Sequence, residues 1–392
     1  MKIPQVLTTC AVAGVLVAGL TACGGSDTSS SSSSTASGSG TSASADGFNA
    51  EQYFKGKTIR VIVNTDPGTG TDLYARFIAD PMAKQIPGNP RITVTNVDGL
   101  GGTANIYNAP EQDLIVGVGS RSSQIYTTAS DPAAQHDPEK VRIIGGIQGD
   151  SRAWTGFSDV ATQYKSLADA TGKSDPKLRM PGAVGSPNEI ESDLFLYPWL
   201  CEKLQLPCEY VKVAQDTSTD IAIMAERGEV NMLGGRTVTS IRDHQDAIKD
   251  GKARILFEYA RNENVLKSPD GTEIPDITSL LNDADKAEYE KILPIISSGK
   301  VGNPFWVGPS MPDGAVAAMR DAFAKVMGDE ATVQRLAEIQ SGNEPGEKTE
   351  YKVVPITGDQ AQADFDDSVK TFEDNSSLYT DLQQRFWDKY WS

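Results

Sequence analysis

The sequence has 392 residues, with 36 Lys and Arg against 53 Asp and Glu, which gives a formal net charge of −17. This length allows two or three domains, because single hydrophobic cores stop growing at roughly 250–300 residues. The acidic excess, without a stripe of Lys and Arg, argues against nucleic-acid binding. With only two His residues, we expect no metal site and no cofactor.

The N-terminus has the features of an export signal. An apolar run, Val6–Leu20, is shorter than the roughly 20 residues that a membrane-spanning helix needs. It leads into Leu20-Thr21-Ala22-Cys23, which resembles the lipobox of bacterial lipoproteins, where cleavage precedes a cysteine that then receives lipid. We therefore predict a lipoprotein signal peptide over 1–23, with Cys23 holding the protein on the outer face of the cell membrane. An uncleaved or ordinary signal is the alternative.

Residues 24–47 consist mostly of Ser, Gly, Thr and Ala. Such a segment cannot bury enough apolar surface to offset its ordering entropy, so we predict a flexible tether. As a Gly/Ser coil it would have a root-mean-square reach of about 27 Å.

The cysteines agree with export. Cys10 lies within the signal and Cys23 is the predicted lipid site, which leaves Cys201 and Cys208 for the folded part. In an oxidising compartment, an even pair this close in sequence predicts a local disulfide bond, with two unpaired thiols as the alternative.

Strands and helices alternate along the rest of the chain, which predicts an α/β protein with mostly parallel sheets, divided into two lobes. Flanking turns and β-branched content predict strands at Lys57–Val63, Arg91–Thr95, Leu114–Val118, Val141–Ile147, Lys177–Met180, Glu209–Val213, Val230–Leu233, Arg254–Tyr259 and Phe305–Val307. Helical spacing of apolar residues predicts helices at Thr71–Gln85, Glu189–Leu204, Thr219–Arg227, Val238–Lys249, Gly314–Met327 and Ala331–Gln340.

Glycine-rich loops follow the first three predicted strands, at Asp66–Asp72, Asn96–Thr103 and Gly117–Ser120. The carboxyl ends of parallel strands meet at one edge of a sheet, where helix starts attract anions, so these loops predict one shared binding site. They match neither the dinucleotide fingerprint nor the P-loop. Similar loops in the central region predict that a second lobe closes on the same ligand; they are Gly182–Asn188, Gln215–Thr219 and Gly234–Thr237.

These segments resemble, in order, the substrate-binding proteins of tripartite tricarboxylate transporters (the TctC or Bug receptors). The resemblance rests on TIRVIVNTDPGTGTDLYAR, the Asn96 loop with Gly101-Gly102, AERGEVNMLGG and FWVGPSMPDGAVAAMRDAFAKVMGDE. It covers roughly Phe54 to Gly342. It implies a type II periplasmic-binding-protein fold with a hinge crossover and a cleft between lobes, lobe 1 being 54–149 plus 257–392 and lobe 2 being 150–256.

The resemblance also implies a site and partners. Family members hold a ligand carboxylate with backbone N–H and hydroxyl groups of the glycine loops, and deliver it to integral membrane permease subunits without chemistry of their own. The ligand-binding residues implied by position are Pro67, Gly68, Thr69, Gly70, Thr71, Asp72, Gly101, Gly102 and Thr103. The more divergent positions add Ser120, Gly185, Ser186 and Asp216.

Two acidic residues depart from the family pattern. Asp66 and Asp98 lie in or beside the two first-lobe loops, where like charge would repel a di- or tricarboxylate. Our hypothesis is a zwitterionic, cationic or singly charged ligand, with Arg236 as its carboxylate partner. The alternative is that both carboxylates face solvent as turn residues.

The last segment, Ser376–Trp391, has one apolar helical face and extends beyond the family's usual end. We predict that it docks on the first lobe, with a contact to a permease as the alternative. Two other functions stay open: an exported α/β enzyme, which the missing Gly-x-Ser-x-Gly elbow disfavours, and a ligand-sensing receptor without a transporter.

Overall fold

The computed structural model describes residues 47–97, 99–119, 121–130, 135–213, 218–237, 241, 244–341, 346 and 348–392. The predicted signal peptide with Cys23, the tether up to residue 46, and the site positions Asp98, Ser120 and Asp216 lie outside the described residues. Within those ranges, no helix combines the length and the apolar character needed to cross a membrane.

Each predicted strand and helix overlaps an observed one. The strands are β1 (Thr58–Val63), β2 (Arg91–Asn96), β3 (Ile115–Val118), β4 (Arg142–Gln148), β5 (Arg152–Phe157), β6 (Leu178–Gly182), β7 (Cys208–Lys212), β8 (Met232–Thr237), β9 (Ala253–Tyr259), β10 (Val301–Val307) and β11 (Pro355–Thr357). The helices are α1 (Ala50–Phe54), α2 (Gly70–Gln85), α3 (Gly99–Tyr107), α4 (Ser123–Thr127), α5 (Ser158–Gln163), α6 (Ser192–Leu204), α7 (Ser218–Glu226), α8 (Gln245–Lys249), α9 (Asp283–Ile296), α10 (Asp313–Met327), α11 (Glu330–Ser341), α12 (Gly358–Asp374) and α13 (Ser376–Tyr390).

The strands build two lobes. The first lobe contains a six-stranded sheet in the order β11-β4-β10-β3-β1-β2, and the second contains the sheets β8-β5-β9 and β6-β7. The predicted boundary between Leu256 and Phe257 falls inside β9, which pairs with β5 from Ala253 to Tyr259.

The prediction of mostly parallel sheets is wrong for the described strands. Only β1-β2, β1-β3 and β6-β7 pair in parallel, whereas β10 and β11 run antiparallel to their neighbours and so do both pairs of the β8-β5-β9 sheet. For β10 the reason is the crossing between lobes: β4 leaves the first lobe, and the chain returns along β10 in the opposite direction.

Helices cover both faces of the six-stranded sheet. The alternation along β1 directs Ile59, Val61 and Val63 to one face, where they join the core formed with α2, α10 and α11. Ile62 points to the other face and packs in the core formed with α3, α4 and α12. The glycine loops therefore leave the rim of a sheet that is covered on both sides.

The two lobes meet at segments that cross between them. After β4, the carbonyl of Gly149 accepts a hydrogen bond from the Asn262 side-chain amide at 2.8 Å. The backbone amide of Asn262 donates to the Ser151 hydroxyl at 2.6 Å. The Tyr351 hydroxyl donates to the Asp150 carboxylate at 2.5 Å. Burial raises the pKa of Asp150 despite this hydrogen bond. The segment that leaves β4 is thus joined by polar contacts to Asn262, which follows β9, and to Tyr351, which precedes β11.

A disulfide bond joins Cys201 on α6 to Cys208 at the start of β7, with the two Cα atoms 6.0 Å apart. It ties the end of the long second-lobe helix to the strand that follows it.

The prediction that the last helix docks on the first lobe is wrong. Along α13, Phe386 packs on Phe195 of α6 with ring centroids 5.4 Å apart, and Trp391 packs on Tyr210 of β7 at 4.5 Å. Both partners belong to the second lobe. The periodicity correctly indicated an apolar helical face, but it does not encode which surface covers that face.

The docking of α13 is testable by Phe386→Ala. Phe386 is fully buried, so truncation should lower the free energy of unfolding by about 3–4 kcal/mol. A double-mutant cycle with Phe195→Ala should give a coupling of about 1 kcal/mol, measured by urea unfolding.

Gln384→Ala is the matched control, because Gln384 lies on the same helix but is exposed. Additive effects of the two Phe substitutions would contradict the contact.

Candidate functional site

Three strand ends meet at one rim of the first lobe. Strand β1 lies between β3 and β2, and its last residue, Val63, is level with Val118 of β3 and Asn96 of β2. The loops that follow these strands are therefore neighbours, as the sequence predicted. Helix α2 begins directly after the first loop and α3 directly after the second, so two helix N-termini, where the first N–H groups have no partner within the helix, lie at this rim.

A buried carboxylate organises the first loop. Asp72 is 2% exposed and accepts hydrogen bonds from the Gly68 amide at 2.9 Å, from Nε of Arg76 at 3.0 Å and from the Asn96 amide group at 2.9 Å. The Asn96 amide group also donates to the carbonyl of Thr65 at 2.9 Å. One carboxylate thus fixes the loop after β1 to the end of β2.

The charge of Asp72 is stabilised by these donors. Burial raises its pKa, but the hydrogen bonds from Arg76, the Gly68 amide and Asn96, with the positive charge of Arg76, outweigh burial and leave the pKa below its ordinary value. The carboxylate is therefore a structural group, and both of its oxygens are already engaged in hydrogen bonds within the protein.

The other residues of this loop divide into two groups. Pro67, Gly68 and Thr69 are exposed, and Thr69 caps α2 by accepting a hydrogen bond from the Asp72 amide at 3.4 Å. Thr71 is buried, and its hydroxyl donates to the Asn303 side chain at 3.2 Å. Pro67 to Gly70 are the predicted positions that stay accessible, although the Gly68 amide is already bound to Asp72, and the Asp66 side chain beside them is exposed.

The second loop requires glycine for packing. Gly101, Gly102 and Thr103 lie in the first turns of α3, and a Cβ atom at Gly102 would come within 2.5 Å of the carbonyl oxygen of Val97. Thr103 is buried. Because Gly102 has no side chain, the start of α3 can pack closely against the end of β2.

The second-lobe loop after β6 also contains an internal carboxylate. Glu189 accepts a hydrogen bond from the Gly185 amide at 2.7 Å and another from the Ser186 hydroxyl at 3.1 Å. The Gly185–Glu189 contact has the same spacing of four residues as Gly68–Asp72. In both lobes, a loop amide that the sequence assigned to a ligand is satisfied by the protein's own carboxylate.

Arg236 lies in β8, level with Ala153 of β5. Its side chain lies outside the described part of the structure.

A residue missed by sequence analysis joins the two lobes. Arg121 follows β3 and donates a hydrogen bond to the Ser192 hydroxyl at 2.7 Å, and its guanidinium lies 3.4 Å from the Glu191 carboxylate. Both partners lie at the start of α6 in the second lobe. The available signal was its position two residues after Gly119, at the end of a buried strand.

A cavity of about 1070 Å³ lies elsewhere, and none of the predicted ligand-binding residues lines it. Its wall comes from α11, residues 349–354 and second-lobe residues that include Glu263, Lys267 and Glu273. Charges of both signs alternate on this wall, without a glycine-rich strand end. We favour the rim of the first lobe over this cavity as the candidate ligand site, because the N-termini of two helices lie there. No group of three or more His, Cys, Asp or Glu residues in the described ranges is arranged to hold a metal ion.

No protein-family model matches the chain, and no curated protein matches it either. Among solved structures, it is similar to a TctC solute-binding protein from Polaromonas, solved without ligand, at 16% identity and a TM-score of 0.54 over 84% of this chain and 98% of that one. MatC from Rhodopseudomonas palustris, solved with malate, gives 16% identity and a TM-score of 0.53 over 83% and 99%. A second R. palustris protein, solved with adipate, is 14% identical, with a TM-score of 0.53 over 82% of this chain and 97% of that one.

The chain has the fold of the TctC-type solute-binding proteins. Because the match covers nearly the whole of each of these proteins, the resemblance noted in the sequence is confirmed at the level of the fold, with two α/β lobes and a crossover between them. Helices α12 and α13, which follow Gly342, pack in a first-lobe core and a second-lobe core respectively.

The structural role of Asp72 is testable by Asp72→Asn. The variant keeps the side-chain volume but loses the charge that Arg76 and the Gly68 amide stabilise, so it should unfold more easily at pH 7 by about 1–3 kcal/mol in urea. Since the folded-state pKa is lowered, the stabilisation by the carboxylate is present above pH about 4 and is lost as the pH falls through the folded-state value. The difference from wild type should therefore shrink at pH 3.

Asp80→Asn is the control, because Asp80 lies on the same helix and is exposed. Equal stability of the two variants at pH 7 would refute a structural role for Asp72.

Proposed function

We propose that this protein is a lipid-anchored, extracytoplasmic solute-binding protein that captures a small carboxylate-bearing metabolite between its lobes. It would deliver the metabolite to the integral membrane permease of a tripartite-type transporter. The observation that supports this most directly is the convergence of the loops after β1, β2 and β3 at one rim, where Arg121 reaches the start of α6 in the second lobe. A ligand at this rim would contact both lobes.

The chemistry of the rim suits binding better than catalysis. Helix N-termini, hydroxyl groups and the Arg121 guanidinium lie there, and such groups hold an anion by hydrogen bonds. Proteins with the same fold were solved with malate and with adipate, both of which are carboxylates. Lobe closure about the segment that leaves β4, Gly149–Ser151, would then remove water from the bound ligand.

The internal carboxylates bear on the charge of the ligand. Asp72 and Glu189 already satisfy the amides of Gly68 and Gly185. A ligand with two or three carboxylates would enter a rim that also holds the exposed Asp66, and would meet like charge that grows stronger as the cleft closes and dries. A ligand with a single carboxylate suits this arrangement better.

The N-terminal segments complete the proposal. A signal peptide over 1–23 would be removed before Cys23, whose lipid would anchor the mature chain. A tether of about 24 residues, 24–47, would leave the two lobes free to turn beside a permease. Two acyl chains on one cysteine suffice for stable anchoring.

Ligand binding is testable by a thermal-shift screen of amino acids, monocarboxylates and dicarboxylates. A ligand that binds only the folded chain stabilises it by about 2.7 kcal/mol at a concentration one hundred times its Kd, so the Tm should rise by several degrees. We expect the largest rise with ligands that have one carboxylate. If malate and citrate raise the Tm more than any singly charged ligand, the proposed ligand class is wrong.

Lipid anchoring is testable by Cys23→Ser. The variant should lose incorporation of labelled palmitate and leave the membrane fraction, since the thiol that would accept the lipid is absent. Cys10→Ser is the matched control and should stay membrane-bound, because Cys10 lies within the segment that would be cleaved off. Membrane retention of Cys23→Ser would count against the anchor.

A further inference from the structure

Four charged side chains cluster where Arg121 meets the second lobe. They are Arg121 after β3, Arg152 at the start of β5, and Glu191 and Asp193 beside the first residue of α6. The Ser192 hydroxyl lies between the two guanidinium groups and accepts a hydrogen bond from Arg121 at 2.7 Å and from Arg152 at 3.2 Å. The formal charges of the cluster balance, but the two ion pairs are held very differently.

The inner pair, Arg152 and Asp193, is fixed by its surroundings. Asp193 accepts hydrogen bonds from the Tyr259 hydroxyl and from Nε1 of Trp154, the latter at 3.3 Å. Arg152 donates to the Ser298 hydroxyl at 3.2 Å and lies 3.9 Å from Asp193. Trp154 and Tyr259 are both fully buried. The side chains of Arg152 and Asp193 are 14% and 23% exposed, so this pair is distinguished from the outer one by the additional hydrogen bonds that hold its charges in place.

The outer pair, Arg121 and Glu191, is held loosely and crosses between lobes. Its one hydrogen bond is 3.4 Å long, and within the described residues the Glu191 carboxylate has no second hydrogen-bonded partner. Arg121 is only 15% exposed, whereas Glu191 is 30% exposed. Burial lowers the pKa of Arg121, and the neighbouring Arg152 adds to the decrease, while Glu191 opposes it. Among the described residues, this guanidinium thus has the Ser192 hydroxyl and one weakly bound carboxylate as its hydrogen-bond partners, fewer than its five N–H groups could bind.

We propose that Arg121 binds the carboxylate of the ligand, that Glu191 occupies this position in the empty protein, and that the ligand is a zwitterion of the amino-acid class. This inference rests on the proposed solute-binding function and names the ligand class for the same site. A guanidinium binds both oxygens of a carboxylate in its fork, which the single contact with Glu191 does not achieve. Once displaced, Glu191 is free to pair with the ammonium group of the ligand.

Binding of a zwitterion therefore replaces the weak Arg121–Glu191 ion pair with two: Arg121 with the carboxylate of the ligand, and Glu191 with its ammonium group. A simple monocarboxylate would displace Glu191 without giving it a new partner. A dicarboxylate would add a second negative charge next to Glu191 and near Asp193, which disfavours it further. Arg121 takes the role that the sequence assigned to Arg236.

The test uses isothermal titration calorimetry on the full chain with the twenty standard amino acids, propionate and malate as probes. The wild type should bind at least one amino acid more tightly than propionate, and propionate more tightly than malate. Arg121→Gln should weaken the binding of every carboxylate at least tenfold, whereas Arg121→Lys, which keeps the charge but not the fork, should lose less. Glu191→Gln should weaken amino acids about tenfold and strengthen propionate.

Arg227→Gln is the matched control, because Arg227 lies in the second lobe with a side chain that is 70% exposed. Its affinities should equal those of the wild type. The Tm of each variant shows whether it folds, and Arg121→Lys tests the inference if Arg121→Gln does not. Binding of amino acids by a wild type whose Arg121 variants bind equally well would overturn this inference alone. Failure of the wild type to bind any probe would overturn the proposed function and this inference together.

Discussion

A chain that leaves a sheet at one rim to build a second lobe, and returns at that same rim, re-enters the sheet antiparallel to the strand by which it left. Here β4 leads out through Gly149–Ser151, and β10 leads back between β3 and β4, antiparallel to both. The insertion of β10 separates β4 from β3, β1 and β2, whose carboxyl ends form the rim where we propose that the ligand binds. It also places Gly302 beside Arg121, so the returning strand supports the first-lobe guanidinium that contacts the start of α6.

Carboxylates of the protein itself occupy the donors that an anionic ligand would otherwise find. Asp72 holds the Gly68 amide, Glu189 holds the Gly185 amide and Glu191 holds Arg121. These three carboxylates differ in burial, and therefore in how easily a ligand could displace them from their donors. Asp72 is buried with several donors and cannot leave without loosening two loops, whereas Glu191 is partly exposed and has a single long contact. Selectivity for the charge of a ligand would thus be set mainly where a ligand can displace Glu191 from Arg121.

The sequence predicted the local features well, because strands and loops such as Thr58–Val63 and Asp66–Asp72 carry their own signals in β-branched content and in glycine. Strand β5 was missed because its pairing with β8 and β9 joins residues far apart in the chain. The inward turn of Thr71 and Asp72 was also missed. It depends on Asn303 and Asn96, whose proximity only the folded chain creates. Arg121 was overlooked because its partners, Glu191 and Ser192, are about 70 residues away.

The two C-terminal helices connect the lobes, and the last of them supports the loop that leads into Glu191. Helix α12 packs through Phe365 on the first lobe, while α13 packs on the second, so the pair spans the lobes outside the crossing strands. Gln383 of α13 donates to the carbonyl of Ile190 at 3.0 Å, and a Cβ atom at Gly182 would come within 3 Å of the Trp391 ring. Gly182 and Ile190 bracket the loop that contains Glu189 and leads into Glu191. Because the last helix holds this loop from behind, the position of Glu191 relative to Arg121 depends on contacts made at the opposite end of the chain.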